Sequence, residues 1–379
     1  MISFGSLHSP EFGIDIPQKF NVIFEDHIIY QAAYRYELTF VLTNKGLYAF
    51  GKNTSNQLGL GQASWEELPR KVPFDKKVVS LAIGMYHALI ATEYEVYGTG
   101  SDFYGQLGDT RNICRDQSGD RYEGYDHFTL ISTFTDPIVK VVCGSANSFV
   151  LTTNGCWAFG DNGSGRLGTG TDNHKKSRVI NPTEEPIVDV AGGTYITLFL
   201  IGSDVYLAGN FENTFHDKPI KIFERATRIA ASFSYGLIQQ DTKIFKIGTS
   251  PKSCVYEHTY PEKVDFDLDV LDISTFGQDG FIISTTDAIY SYMGPELYDP
   301  NTIDGCPSYE TPVSIGLSGK CQLFKSSFGQ AFRVLQTNKG IIYIPESLVP
   351  MIICLLIMIK YCKLPVVKSI LVHEIVPKL

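Results

Sequence analysis

Positive charge is in short supply in this chain of 379 residues: 32 Lys and Arg against 41 Asp and Glu leave a formal net charge of −9. A surface built for nucleic-acid phosphates needs clustered Lys and Arg. The basic pairs Lys76-Lys77 and Lys175-Lys176 stand alone, so no direct nucleic-acid binding is expected. Eight Cys are scattered without a Cys-x-x-Cys pair or a metal-like cluster with His. Cys143 and Cys156 fall at apolar strand positions, where buried thiols belong. Met1-Ile-Ser-Phe-Gly5 lacks the basic and apolar regions of a secretory signal. The expectation is a reduced, intracellular setting, cytoplasmic or nuclear. No Ser/His/Asp or Cys/His constellation assembles from spacing, so no catalytic residue, metal or cofactor is expected. Helical periodicity is missing from every long stretch before residue 345.

What the chain has is one phrase used three times. It reads Gly46-Leu-Tyr-Ala-Phe-Gly-Lys-Asn-Thr-Ser-Asn-Gln-Leu-Gly59, then Glu95-Val-Tyr-Gly-Thr-Gly-Ser-Asp-Phe-Tyr-Gly-Gln-Leu-Gly108, then Gly155-Cys-Trp-Ala-Phe-Gly-Asp-Asn-Gly-Ser-Gly-Arg-Leu-Gly168. A phrase returning every few tens of residues means a repeat architecture. Upstream of the later copies lie two apolar stretches and a turn, clearest at 78–91, 138–151 and 187–200, with fainter versions at 28–42, 227–238, 270–283 and 321–335. That makes seven units, each a small antiparallel sheet with Asn or Gly in its hairpins. Many small sheets avoid bare edges by standing radially around an axis.

The last unit stops where its glycine should be, and Ile2-Ser-Phe-Gly5 with Phe12-Gly13 repeats the spacing of Gly51 to Gly59. The expected fold is therefore all-β: a seven-bladed β-propeller over 1–344 closed by the N-terminal strand, with a short, apolar, helical C-terminal tail over 345–379. Gly51, Gly100 and Gly160 let the last strand turn sharply. Asn53, Asp102 and Asn162 hydrogen-bond the turn backbone. Leu58, Leu107 and Leu167 anchor the loop between sheets, and Gln57, Gly59, Gln106, Gly108 and Gly168 complete the structural set. Two look-alikes fail. Gly46–Lys52 spells most of a phosphate loop, but its inner residues form an apolar strand, and Gly163–Gly168 spells a dinucleotide fingerprint without a βαβ unit around it.

Two segments break the pattern. The spacer from Gly108 to Ile138 is longer than its equivalents and reads Arg111-Asn-Ile-Cys-Arg-Asp-Gln-Ser-Gly-Asp-Arg-Tyr-Glu-Gly-Tyr-Asp-His127. Tyr and Arg dominate contact hot spots, so Arg111, Arg115, Asp116, Asp120, Arg121, Tyr122, Tyr125 and Asp126 are the candidate partner-binding residues; the bland reading is a solvated loop. After Pro345, residues 351–359 (Met-Ile-Ile-Cys-Leu-Leu-Ile-Met-Ile) form an apolar run ending at Lys360. A spanning helix needs about 20 such residues. The run is read as a cover on the propeller, an oligomer contact or the stump of a further domain, with membrane contact as the alternative.

The phrases ending Gln57-Leu-Gly59, Gln106-Leu-Gly108 and Arg166-Leu-Gly168, with Gly84-Met-Tyr-His87 upstream of the second, resemble the repeats of the regulator of chromosome condensation family. The resemblance implies a seven-bladed propeller and protein partners, a small GTPase among them. In that family's founding member an extra element pushes into a GTPase to loosen its nucleotide. Two functions follow: an interaction scaffold that binds proteins through loops on one face, and, second, a guanine nucleotide exchange factor for a Ran-like or related small GTPase. The acidic balance favours the first over a chromatin-bound role.

Overall fold

The second strand of each unit explains the arrangement of the whole. Leu38–Thr43, His87–Ala91, Asn147–Thr152 and Ile196–Ile201 are buried at every position. A strand with one wet face alternates apolar and polar residues; a continuous buried run means both faces are covered. The core clusters show what covers them. Ala88 and Ile90 pack with Phe40 and Leu47 of the preceding sheet, while Leu89 and Ala91 pack with Val141 and Val150 of the following one. Phe149 and Leu151 then meet Phe199 and Ile201. Leu198 and Leu200 meet Ile229 and Ile238, and Leu237 meets Ile273 and Phe281. Successive side chains go to opposite neighbours, so each core lies between two consecutive sheets.

The computed structural model describes residues 27–248 and 261–293 with short breaks, and beyond them the strands at 6–9, 14–17, 313–314, 322–323, 334–337 and 340–343. Among these residues there are seven sheets of three to five antiparallel strands, one two-stranded hairpin and no helix. In chain order the sheets span 29–71, 80–133, 138–178, 187–223, 228–263, 270–314 and 322–343, and are called first to seventh below. Their innermost strands lie side by side in that order: Ile29–Arg35, Ser80–Ile83, Ile138–Cys143, Ile187–Gly192, Arg228–Ala231, Val270–Phe276 and Gln322–Leu323. The first six line a shared cavity of about 130 Å³.

One register position recurs along these innermost strands. Gln31, Ser80, Lys140, Asp189, Arg228 and Asp272 each stand opposite the penultimate or equivalent residue of the second strand. Neighbours tie the sheets in pairs. Gln31 Nε2 donates to Leu81 O (3.0 Å) and its Oε1 accepts from Leu81 N (3.2 Å). Lys140 pairs with Asp189 and Arg228 with Asp272 (3.4 Å). In four sheets a bulge precedes this position, and the residue it squeezes out, Tyr30, Val139, Val188 or Leu271, is exposed.

The N-terminus departs from expectation in its local pairing. Ser6–Ser9 pairs with Ile14–Pro17 as a hairpin, and among the described residues neither strand belongs to the seventh sheet, which shows three strands. The hairpin satisfies its own ladder. Residues 2–5, expected to close the ring, lie outside the described residues, as does the tail 345–379 expected to be helical. No helix of the described residues is long and apolar enough to cross a membrane.

Because each core lies between sheets, a leucine that plugs the seam should matter far more than an exposed apolar residue. Leu167→Ala is expected to lower the stability measured by denaturant unfolding by about 2–5 kcal/mol. Val139→Ala, at an exposed position, is expected to change it by less than about 0.5 kcal/mol.

Candidate functional site

The third strands of consecutive sheets run toward the same side, and the repeated phrase builds that side, here called the loop face. The strand must pass the backbone of the neighbouring turn: Ser101 N, Asp161 N and Asn210 N donate to Tyr86 O, Ala146 O and Tyr195 O at 2.8, 2.8 and 2.9 Å. Gly100 sits there with φ +94°, and a Cβ on it would lie 2.2 Å from Tyr86 O. Only glycine fits. Two turns follow, closed by Gly105 N to Asp102 O (2.9 Å) and Gly108 N to Gly105 O (3.0 Å), and in the third sheet by Gly165 N to Asn162 O and Gly168 N to Gly165 O, both 3.0 Å. In the first sheet Asn56 takes the left-handed place of those middle glycines, φ +57°.

The polar residue at the head of the phrase holds the loop shut. Asn53, Asp102 and Asn162 each accept from the backbone N–H of Leu58, Leu107 and Leu167, at 2.8, 2.5 and 3.1 Å. Asn162 Nδ2 also donates to Thr171 O (2.6 Å). The three leucines are buried. Gln57 and Gln106 accept from Ser55 N (2.7 Å) and Tyr104 N (2.8 Å). Gly59 and Gly168 take φ of +66° and +67° as the loop turns back, and Gly51 and Gly160 match Gly100.

The third phrase changes this last bond, and the change makes a site. Arg166 stands where Gln57 and Gln106 stand, and a guanidinium cannot accept a hydrogen bond. Asp161 instead holds a neighbouring amide and the arginine itself: its Oδ1 accepts from Gly163 N (2.9 Å), and its Oδ2 from Arg166 Nη1 (3.0 Å). Arg166 is only 6% exposed and lies 5.8 Å from the centre of the Tyr195 ring. Burial pulls its guanidinium below the ordinary arginine value, while Asp161, Tyr195 and Tyr104 oppose that shift. Tyr195 and Tyr104 lie beside it, and the loop face also exposes Phe103 (75%) and Phe215 (66%). The Phe103 and Tyr104 rings meet edge to face, 4.9 Å apart, and Gly165 fits against Asp217 beside Phe215. Exposed aromatic rings around a buried, ion-paired Arg have the composition of a protein-contact hot spot. The signal the sequence carries for it is the replacement of Gln by Arg at 166 together with Asp161.

The insertion is a hairpin, Ile113–Arg115 paired with the start of the long strand Arg121–Thr133. It leans on the first sheet's phrase. Asn56 Nδ2 donates to Arg115 O and to Tyr122 Oη, both 2.8 Å, and Tyr122 Oη donates to Ser55 O at 2.9 Å. Burial raises the Tyr122 hydroxyl pKa well above its usual range, and Cys114 is buried beside it, its thiol raised for the same reason. Tyr125 is half-buried and packs toward Leu107 and Val96. At the tip, Asp116 Oδ1 accepts from Asp120 N (2.9 Å), and Arg115 Nη1 donates to Gly119 O (2.7 Å). Arg115, Asp120 and Arg121 are exposed, Asp116 and Asp126 half-buried, and Asp126 pairs with His127 at 2.9 Å. The structure thus gives the tyrosines to seating the hairpin and the charges to solvent. Arg111 lies outside the described residues. Among the described residues no three His, Cys, Asp or Glu are grouped to hold a metal ion. Residues 46–52 lie in a strand and 163–168 in the phrase turn, so neither look-alike forms a phosphate cradle.

Comparison with known proteins agrees with this geometry. Two models of the regulator of chromosome condensation (RCC1) repeat match, one over residues 46–91 and 154–200 and the other over 138–166. The X-linked retinitis pigmentosa GTPase regulator of Canis lupus familiaris is 37% identical over 165 residues, covering 42% of this chain and 15% of that protein. The probable E3 ubiquitin-protein ligase HERC4 of Homo sapiens is 30% identical over 201 residues, covering 49% of this chain and 18% of that protein. The chain thus spans less than a fifth of either relative. Among solved structures, Prp20p of Saccharomyces cerevisiae superposes with a TM-score of 0.61 at 17% identity, covering 78% of this chain and 79% of that one. Human WBSCR16 gives 0.60 at 19%, covering 73% and 83%. Both likenesses are of fold.

If Tyr122 seats the hairpin, Tyr122→Phe removes both hydroxyl contacts at a cost of about 1–3 kcal/mol to the local opening energy. Amide exchange across 112–124 should accelerate roughly ten- to a hundredfold by the same measure, while the amides of Leu58 and Leu107 keep their protection.

Proposed function

Since this chain belongs to the regulator of chromosome condensation (RCC1) repeat family, we propose that it is an interaction scaffold: a seven-bladed propeller over 1–344, completed by the N-terminal residues, that binds a protein partner through its loop face. The cluster of Phe103, Tyr104, Tyr195 and Phe215 around Arg166 carries the reading. Arg115, Asp120 and Arg121 at the hairpin tip supply a charged flank. Aromatic anchors with a desolvated Arg supply affinity, and exposed charges at the margin tune encounter and specificity. The compartment that suits it is intracellular, cytoplasmic or nuclear.

Exchange of guanine nucleotide on a small GTPase is the second reading. Two relatives favour it: one is named a GTPase regulator, and the solved structure of Prp20p is reported with its binding properties to Gsp1p and histones. Exchange of this kind is catalysis by binding, in which the nucleotide-free GTPase is held more tightly than the loaded one. The hairpin, clamped to the first sheet by Asn56 and Tyr122, is the element stiff enough to press on a bound protein.

The test pairs proximity labelling with a release assay. Against the unaltered chain, Arg166→Ala with Phe103→Ala is expected to lose the principal labelled partners by about tenfold or more, each hot-spot truncation costing upward of about 1 kcal/mol. Arg115→Ala with Arg121→Ala should weaken them less. Unchanged labelling by the first variant would remove the loop face from the account. No acceleration of fluorescent-GDP release is expected from Ran-, Rab- or Arf-type GTPases; acceleration of any one makes exchange the function.

A further inference from the structure

The scaffold reading leaves open what kind of segment the loop face takes. We propose that the low ground over the third sheet, between Tyr86 and Tyr104 on one side and Tyr195 on the other, is a slot for a proline-rich segment of a partner protein; the partner's role, though not the slot, rests on the scaffold reading.

Three observations carry it. The first is shape. The carbonyls of Tyr86, Ala146 and Tyr195 accept equivalent bonds from Ser101 N, Asp161 N and Asn210 N, so these three residues hold one place in the second, third and fourth sheets. Asp102 and Asn162 head their phrases by the same bond to a leucine amide, so Phe103 and Tyr104 correspond to Gly163 and Ser164. The third sheet thus presents Ala, Gly and Ser where its neighbour presents three aromatic rings, and a ring returns on the fourth. Tyr86, Phe103, Tyr104 and Tyr195 are exposed, while Ser164 is buried. The result is a trough with aromatic walls and a floor of small residues.

The second is width and charge. Arg166, in the floor, lies 5.8 Å from the centre of the Tyr195 ring, and Tyr104 stands beside the same guanidinium. Rings that close on one guanidinium leave room for a single extended chain, and not for a helix about 10–12 Å across. The floor's one cation is paired with Asp161 at 3.0 Å and buried. A trough neutralised in this way suits an uncharged segment better than an acidic or a basic one.

The third is hydrogen bonding. The hydroxyls of Tyr97 and Tyr122 are spent inside the chain, on Glu95 and on Ser55 O. Among the described residues those of Tyr86, Tyr104 and Tyr195 have no partner in the chain. A polyproline II segment makes no internal hydrogen bonds, so its carbonyls are free to accept from such hydroxyls, and its rings stack on aromatic walls. It is also ordered before it binds, which lowers the entropic cost of entering a narrow slot.

The test applies the whole purified chain to an array of twelve-residue peptides with Pro at every third position, and to the same peptides with Ala for each Pro. Retention is expected on the Pro set alone, and the best-retained peptide, labelled with fluorescein, is then titrated by anisotropy. Gly163→Phe fills the floor with the side chain that the second sheet carries. A Cβ there meets only side-chain atoms, Asp161 Oδ1 at 3.3 Å and Arg166 Nη2 at 3.6 Å, so the fold is expected to tolerate it. It should weaken the peptide more than about tenfold. Tyr104→Phe and Tyr195→Phe keep the rings and remove one hydroxyl each, and should weaken it about two- to tenfold; they decide the matter if Gly163→Phe unfolds. No retention on the Pro set, equal retention on the Ala set, or binding indifferent to these variants would each overturn the proposal. Loss of partner labelling by Gly163→Phe without any Pro-peptide binding would overturn it too, and leave the scaffold reading standing. Pro-peptide binding that follows the variants while partner labelling ignores them would count against the scaffold reading alone.

Discussion

The second strands of the first four sheets are buried on both sides, and no sheet of this size hides both faces by itself. That constraint orders the rest. A lone sheet of three to five strands cannot bury two faces, so consecutive sheets cover one another, and alternate residues of one strand belong to different cores. Leu89 packs forward and Ile90 backward along the chain, one residue apart. A one-residue slip would exchange all such partners. Polar side chains of the innermost strands pin the register: Gln31 reads the backbone of Leu81, and Lys140 and Arg228 reach the carboxylates of the next sheet. Ion pairs of this half-buried kind contribute modestly to stability and more to which arrangement forms.

The loop face is a consequence of the same packing. Third strands that cross a neighbouring turn need glycine at the crossing, and the chain must then reverse within a few residues. Asn53, Asp102 and Asn162 supply the reversal by holding the leucine amide five residues on. Once that frame is rigid, small departures from it acquire meaning. Arg in place of Gln at 166 places a charge under aromatic rings, and the extra residues after Gly108 become a braced hairpin rather than a drifting loop.

How much of this can be read without coordinates varies with the physics. The all-β class and the family follow from the phrase, because glycine, Asn and Leu at fixed spacing answer local backbone demands that recur in each sheet. The second strands are legible as continuous apolar runs. The contact residues are harder. Tyr122 and Arg121 are adjacent in sequence, and only the pairing of the hairpin with the Asn56 turn shows that one faces in and the other out. Phe103 and Tyr104 look like filler within the phrase, since nothing local says that Arg166 and Tyr195 come beside them. The alternation of Lys140 with Asp189 and of Arg228 with Asp272 was present at one repeat position, yet it carries no sense until the innermost strands are known to be neighbours.

The first and seventh sheets each need a cover on their outer side, and mutual cover is the arrangement the constraint favours. The most direct measurement is the distance between nitroxide labels placed by genetic encoding at positions 3 and 341 of the whole chain. Neighbouring strands lie about 5 Å apart, so with label arms included a single narrow distribution below about 20 Å is predicted. A broad distribution centred beyond about 40 Å, more than any pair of adjacent strands allows, would contradict the account of how this fold buries its sheets.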